Sequence, residues 1–300
     1  MLTVARARLS LLFPGPAKLP GWLGSTFRGG LGQHLRPLVC YRPGEECEGC
    51  KLSDECPFYI GFMRPFAKRG RAPPPRPIAV IPPFGRPVEG RGRMEVDLVL
   101  VGDYIRFFPH LILTLQWLGM DGLGDLRRLG FNRFRITEGR CWFSGEKVFG
   151  DGVIYVRNLR AVEVRELEPF RGDEVRVEFK VPIELPKGIP PSPSDFLELV
   201  RHRLILLVNE YGDGGKVPDF SCEGSGRVIE SRPVKLPGRS MRSGRREFWG
   251  WVGAAEYHFQ KIDEVGRWLL SVGRVLGAGS KFSFGMGFFE LGQPITNSIS

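Results

Sequence analysis

The sequence predicts an α+β fold built from two successive β-α-β-β-α-β units. Three observations carry this. Runs of apolar/polar alternation recur through the chain, as in half-buried strands. Apolar stripes at helical spacing lie between them. The two kinds of segment follow one another in the same order in each half of the 300 residues. Forty glycines and 25 prolines imply many turns and argue against a helical bundle. A hydrophobic share of 42% with 25% charged residues is that of a folded globular chain.

The opening stretch "MLTVARARLSLLFPGP" alternates as a strand over residues 3 to 13. Its apolar run is too short for a secretory leader and ends at Pro14, so a cytoplasmic location is expected. No window of 18 apolar residues exists, and no membrane partner is expected. A helix follows from about residue 22 to 38. The stretch 65–93, rich in proline and arginine, predicts an extended basic loop with one short strand at Ile78 to Ile81. Met94, Val96, Leu98 and Leu100 then share one strand face, with Glu95 and Asp97 on the polar one. "FPHLILTLQWLGM" predicts a buried helix stopped by "DGLGD", and "RFRITEGRCWF" and "GDGVIYVRNL" predict further strands.

The second half repeats this order. Val175, Val177, Phe179, Val181 and Ile183 alternate with charged residues. A helix starting at Ser194 or Asp195 carries Phe196, Leu199, Arg203, Leu207 and Tyr211 near helical spacing. "RVIESRPVKL" and "EFWGWVGAAEYHF" predict strands, and Ile262, Val265, Leu269, Val272 and Leu276 form a helical stripe. "FSFGMGFFEL" predicts the closing strand. Such a pattern is that of tandem ferredoxin-like domains. The expected boundary puts residues 1–168 in the first domain and 169–300 in the second.

A net charge of +10 favours a polyanionic partner. The segment "SVGRVLGAGSKFSFGMGFFELG" concentrates six glycines around Lys281. It fits neither a dinucleotide loop nor a P-loop, since Phe282 stands where the third glycine belongs and Lys281 lacks the required spacing. Two readings remain. The backbone amides at Gly279, Ser280, Gly285 and Gly287 could cradle phosphates beside Lys281. Otherwise the glycines only cap a helix and bulge a strand. Arg239, Arg242, Arg245 and Arg246 in "LPGRSMRSGRREF" form a basic turn between two strands, suited to an RNA stem or simply solvated.

Cys40, Cys47, Cys50 and Cys56 follow the spacing C-x6-C-x2-C-x5-C, which suits a tetrahedral zinc site. A four-iron cluster needs the same ligands, and disulfides or free thiols are further alternatives. Such a site would be a structural insertion of the first domain. Cys141 and Cys222 read as ordinary buried cysteines.

"GSKFSFGMGFFEL" resembles the C-terminal glycine-rich motif of the RAMP superfamily, and within it that of the CRISPR repeat-RNA processing endoribonucleases. "GSTFRGGLGQHLRPLVC" resembles the first helix of that family, with its small-x-x-x-Arg-Gly-x-x-Gly pattern around Arg28. "VRVEFKVPIEL" resembles its second-domain strand. The resemblance implies a cleft that binds CRISPR repeat RNA, with other CRISPR-associated proteins as possible partners. It implies metal-free cleavage by 2′-hydroxyl attack, leaving a 2′,3′-cyclic phosphate and a 5′-hydroxyl. His34 is then the candidate acid/base, with Tyr41 assisting and Lys281 stabilising charge, and Arg28 on the RNA. His258 is the second candidate. The alternative is a non-catalytic RNA-holding subunit of an effector complex; a metal-cluster redox protein would explain only the cysteines.

Overall fold

The computed structural model describes residues 1–42, 44–68, 73–85, 88–185, 191–240 and 244–294, except for the side chains at 238–240 and 244–246. The first half holds β1 (Thr3–Leu19), α1 (Gly24–Val39), β2 (Ile78–Ile81), β3 (Val88–Val101), α2 (Phe108–Asp121) and β4 (Arg135–Cys141). Short strands β5 (Lys147–Gly150), β6 (Val153–Ile154) and β7 (Ala161–Glu163) follow. They form an antiparallel sheet in the order β2-β3-β1-β4-β5-β6, with β7 pairing to β1. The second half holds β8 (Glu174–Ile183), α3 (Pro193–Tyr211), β9 (Cys222–Ser240), β10 (Gly244–Ile262), α4 (Glu264–Leu276) and β11 (Glu290–Gly292). Its sheet order is β11-β8-β10-β9.

Several elements differ from the sequence expectation. β1 does not stop at Pro14. It continues past a register shift between Phe13 and Ala17, because neither proline lies where a ladder amide is required. β3 starts at Val88, inside the stretch expected as loop, by pairing with the extended end of β1. Of "GDGVIYVRNL" only Gly150, the end of β5, and Val153–Ile154 are strand. The cap of α3 is Ser192, whose hydroxyl accepts from Asp195 N–H at 3.1 Å, so Pro193 opens the helix. "FSFGMGFFEL" is largely irregular, with a 3₁₀ turn at Phe282–Phe284, and becomes strand only at Glu290. α2 is buried on one side only: Leu113, Trp117 and Met120 are exposed.

The first core lies between the sheet and α1/α2, where Leu9, Leu11, Phe13, Phe27, Leu31, Val96, Leu98, Phe108 and Leu115 meet. The second is not confined to its own half. Leu2, Val4, Val99 and Val101, from the opposite face of the first sheet, join Val177, Phe196, Leu204, Leu269 and Phe289. This second covering explains Asp97, which the alternation placed on a polar face. It is 6% exposed and lies opposite Arg8 in the ladder, gripped by Arg6 and Arg8. No helix among the described residues is long and apolar enough to cross a membrane.

Candidate nucleic-acid interface

The glycine-rich segment connects α4 to β11 and meets the start of α1. What its backbone approaches so closely is the protein itself. A Cβ on Gly285 would collide with the Val80 carbonyl oxygen of β2, and one on Gly287 with that of Ala278. Both residues have positive φ, 71° and 78°. The amides expected to face phosphate are also taken. Gly279 N–H donates to Leu199 O at 3.2 Å, Gly285 N–H to Phe282 O at 2.9 Å and Gly287 N–H to Pro182 O at 2.8 Å. The expectation of a cradle made by these three amides is therefore corrected.

Arg203 holds the segment from below. Its guanidinium is buried and donates to four carbonyls: Leu276 and Ser280 at 2.8 Å, Gly279 at 2.7 Å and Met286 at 3.0 Å. Desolvation pushes its pKa down to about 9, so it stays charged at neutral pH. Nothing in the motif itself announced this anchor, 73 to 83 residues away in sequence. The signal available was an arginine on an apolar helical stripe.

The outward side keeps Ser280 and Lys281. Lys281 sits in the left-handed region at φ 60°. Its Nζ lies 5.6 Å from the centre of the Phe248 ring and 3.9 Å from Glu184, whose carboxylate also accepts from Ser280 Oγ. Beneath, Trp22, Leu236, Phe248 and Met286 form a small cluster joining the segment just before α1, the β9–β10 hairpin and the loop. Arg28 leans over the rings of Phe284 at 5.0 Å and Phe62 at 5.6 Å. Burial and the nearby Arg76 lower its pKa to about 10. Its Nη1 is out of solvent with no hydrogen-bond partner among the described residues. A buried guanidinium nitrogen without an acceptor is a site suited to an anion.

The hairpin strands each run 19 residues. Trp249 is 63% exposed on β10, with Lys235 Nζ at 5.8 Å from its ring. Cation and exposed ring together resemble a stacking platform for a base. Arg239, Arg245 and Arg246 belong to the strands at the hairpin end, but their side chains, and Arg242 altogether, lie outside the described residues.

His34 is placed elsewhere on α1. Six residues beyond Arg28, it lies about 9 Å further along the helix axis. Its ring is 8% exposed, with Nδ1 at 2.9 Å from Gly30 O and Nε2 at 3.2 Å from Asp121 Oδ2. Both neighbours are acceptors, so only the doubly protonated ring satisfies both. Arg127 approaches the same carboxylate at 3.5 Å and donates to Gln33 Oε1 at 3.1 Å. Trp117, 40% exposed, meets His34 edge-on at 5.7 Å. The sequence reading missed Asp121, Arg127 and Trp117, since only the packing of α1 on α2 joins them to His34.

The three expected catalytic residues are not brought together. Tyr41 is 87% exposed and lines a cavity with the cysteines, sharing no hydrogen bond, ion pair or ring contact with His34 or Lys281. His258 pairs with Glu174 at 3.1 Å, and His110 lines the cysteine cavity. The cysteines Cys40, Cys47, Cys50 and Cys56 are unpaired. Cys222 is only half-buried, unlike Cys141.

Family models of the AF_1859 N-terminal and C-terminal domains match residues 2–163 and 175–291. An uncharacterized protein of Archaeoglobus fulgidus is 38% identical over 292 residues, covering 97% of this chain and 98% of its own length. A Cas6 product complex aligns over 96% of this chain and 99% of that one, with TM-score 0.55 and 16% identity. Thermus thermophilus Cas6 aligns over 97% and 99%, with TM-score 0.51 and 14% identity. At these identities the likeness is one of fold.

Proposed function

This chain belongs to the AF_1859 family and has the fold of the CRISPR-associated Cas6 proteins, and we propose that it is an endoribonuclease processing CRISPR repeat transcripts. The observation that carries the catalytic reading is the group of His34, Asp121 and Arg127 on the α1/α2 surface. The strand orders β2-β3-β1-β4 and β11-β8-β10-β9 agree with two ferredoxin-like units, on which this reading rests.

RNA lying along α1 would place its backbone against Arg28, Ser280 and Lys281 at one end. The scissile phosphate would lie at His34, at the other. In the reaction the 2′-oxygen bonds to phosphorus, its proton leaves to a base, and the bond from phosphorus to the 5′-oxygen breaks. Asp121 Oδ1, the carboxylate oxygen not facing His34, accepts the 2′-proton as the bond to phosphorus forms, and His34 Nε2–H protonates the departing 5′-oxygen. Arg127 offers charge to the phosphorane. No metal takes part in these steps. Trp117 would stack a base beside the cut, and Trp249 one on the hairpin. Trp117→Ala is expected to weaken RNA binding by about 1–3 kcal/mol, measured by filter binding, with folding unchanged.

One observation favours a second reading, a non-catalytic RNA-holding subunit of an effector complex: both ring nitrogens of His34 are occupied. Incubation of labelled repeat RNA in EDTA separates the two. Wild type is expected to cut and leave a cyclic phosphate, and His34→Ala to cut at least about a hundredfold more slowly while binding equally. Binding without cutting by the wild type would establish the second reading. Equal cutting by both would shift the acid/base to His258.

A further inference from the structure

The loop between α1 and the helical turn that follows it has no core of its own. From Cys40 to Cys56, the described residues that are only partly exposed are the four cysteines and Ser53; every other one is exposed, Leu52 included. One 3₁₀ turn of three residues, Ser53–Glu55, is the only helix among its described residues. A segment of this kind cannot be held by apolar burial and calls for a staple. The side chains available for one are the thiols.

Their placement fits this purpose. Cys40 is the C-terminal cap of α1, and Cys56 immediately precedes the helical turn that carries Phe58 and Phe62. Between them Cys47 and Cys50 close on one another through Gly49, at φ 83°, with Cys50 N–H 3.4 Å from Cys47 O. This tight turn is what brings the two thiols of a C-x2-C pair to one ion. All four cysteines line a single cavity of about 270 Å³, together with His110 at the start of α2. None is engaged in a disulfide. They do not converge by themselves: among the described residues no three His, Cys, Asp or Glu groups are placed to hold an ion. Binding of an ion would therefore have to draw them together.

We infer that Cys40, Cys47, Cys50 and Cys56 bind one zinc ion as four thiolates and so fasten the end of α1 to the following turn. The thiol protons are released as the ion binds. With four protein ligands the site has no open position, so its role is structural. It lies one turn and a half beyond His34 on the same chain but contains no group of the proposed cleavage site, so the two readings fail independently.

The test is metal analysis of the full chain, purified after growth with zinc and iron both supplied, followed by exhaustive dialysis. One zinc per chain, no visible absorbance, and release of that zinc by a mercurial are expected. Cys47→Ser/Cys50→Ser should lower the zinc content at least about tenfold, while Cys222→Ser and His110→Ala keep it. If the double variant does not fold, mercurial release from the wild type decides. Metal-free wild type, iron with sulfide and a brown colour, or zinc lost in His110→Ala would each overturn the assignment.

Discussion

Arg203→Met is expected to cost about 3–5 kcal/mol and to loosen the glycine-rich segment before anything else. Methionine fills much of the volume but donates no hydrogen bond. The carbonyls of Leu276, Gly279, Ser280 and Met286 would then face the core unpaired. Their desolvation is what makes the loss large, since each orphaned buried acceptor costs about 1–3 kcal/mol unless water reaches it. Arg203→Lys should recover only part of the loss: one ammonium cannot span the positions reached by the guanidinium fork. The neighbouring glycines leave no alternative packing, because a Cβ on Gly277 would sit 2.5 Å from Arg203 Nη1. Urea unfolding gives the stability change, and hydrogen exchange at Gly279, Gly285 and Gly287 gives its location. Unchanged exchange at those amides would show that the segment is held by something other than Arg203. RNA affinity should fall in parallel, since Ser280 and Lys281 ride on the same segment.

The division between what could and could not be read from sequence follows contact range. Alternation in Met94–Leu100 and the stripe on α4 report local periodicity, and the strands and helices they predict are present. The same alternation misplaced Asp97, because period two distinguishes two faces without saying that both are covered. The glycines were conspicuous, but the choice between phosphate and protein as their neighbour depended on Val80, Ala278 and Arg203. Only Ala278 is near in sequence. His34 was identifiable as a candidate; its partners Asp121 and Arg127 lie 87 and 93 positions away and meet it only through packing of α1 on α2. The cysteine spacing was explicit, and the cavity that all four cysteines line adds what spacing could not.

The buried Asp97 makes the second large prediction, and it concerns the joint between the two halves. Arg6 donates to Asp97 and also to Arg274 O at 3.1 Å, at the C-terminal turn of α4, while its guanidinium stands 4.9 Å from the Trp142 ring. One arginine thus ties the first sheet to a helix of the second unit. Asp97→Ala leaves Arg6, 8% exposed, without its counter-charge, and is expected to destabilise by about 3–5 kcal/mol. Much of this is the cost of the stranded cation, so removing both partners should be far milder. Arg6→Met/Asp97→Leu is expected to regain most of the loss, a non-additivity that urea titration of the single and double variants would measure. Acid provides an independent check. Burial alone would raise the Asp97 pKa, but Arg6 and Arg8 outweigh it and hold the carboxyl below its ordinary value. A carboxyl depressed in the folded state contributes stability that is full above its unfolded pKa, about 3.9. That contribution is lost as pH falls through the folded value. Asp97→Asn should therefore lower stability at neutral pH and flatten its acid-side decline; an unaltered decline would mean that other carboxylates govern acid unfolding.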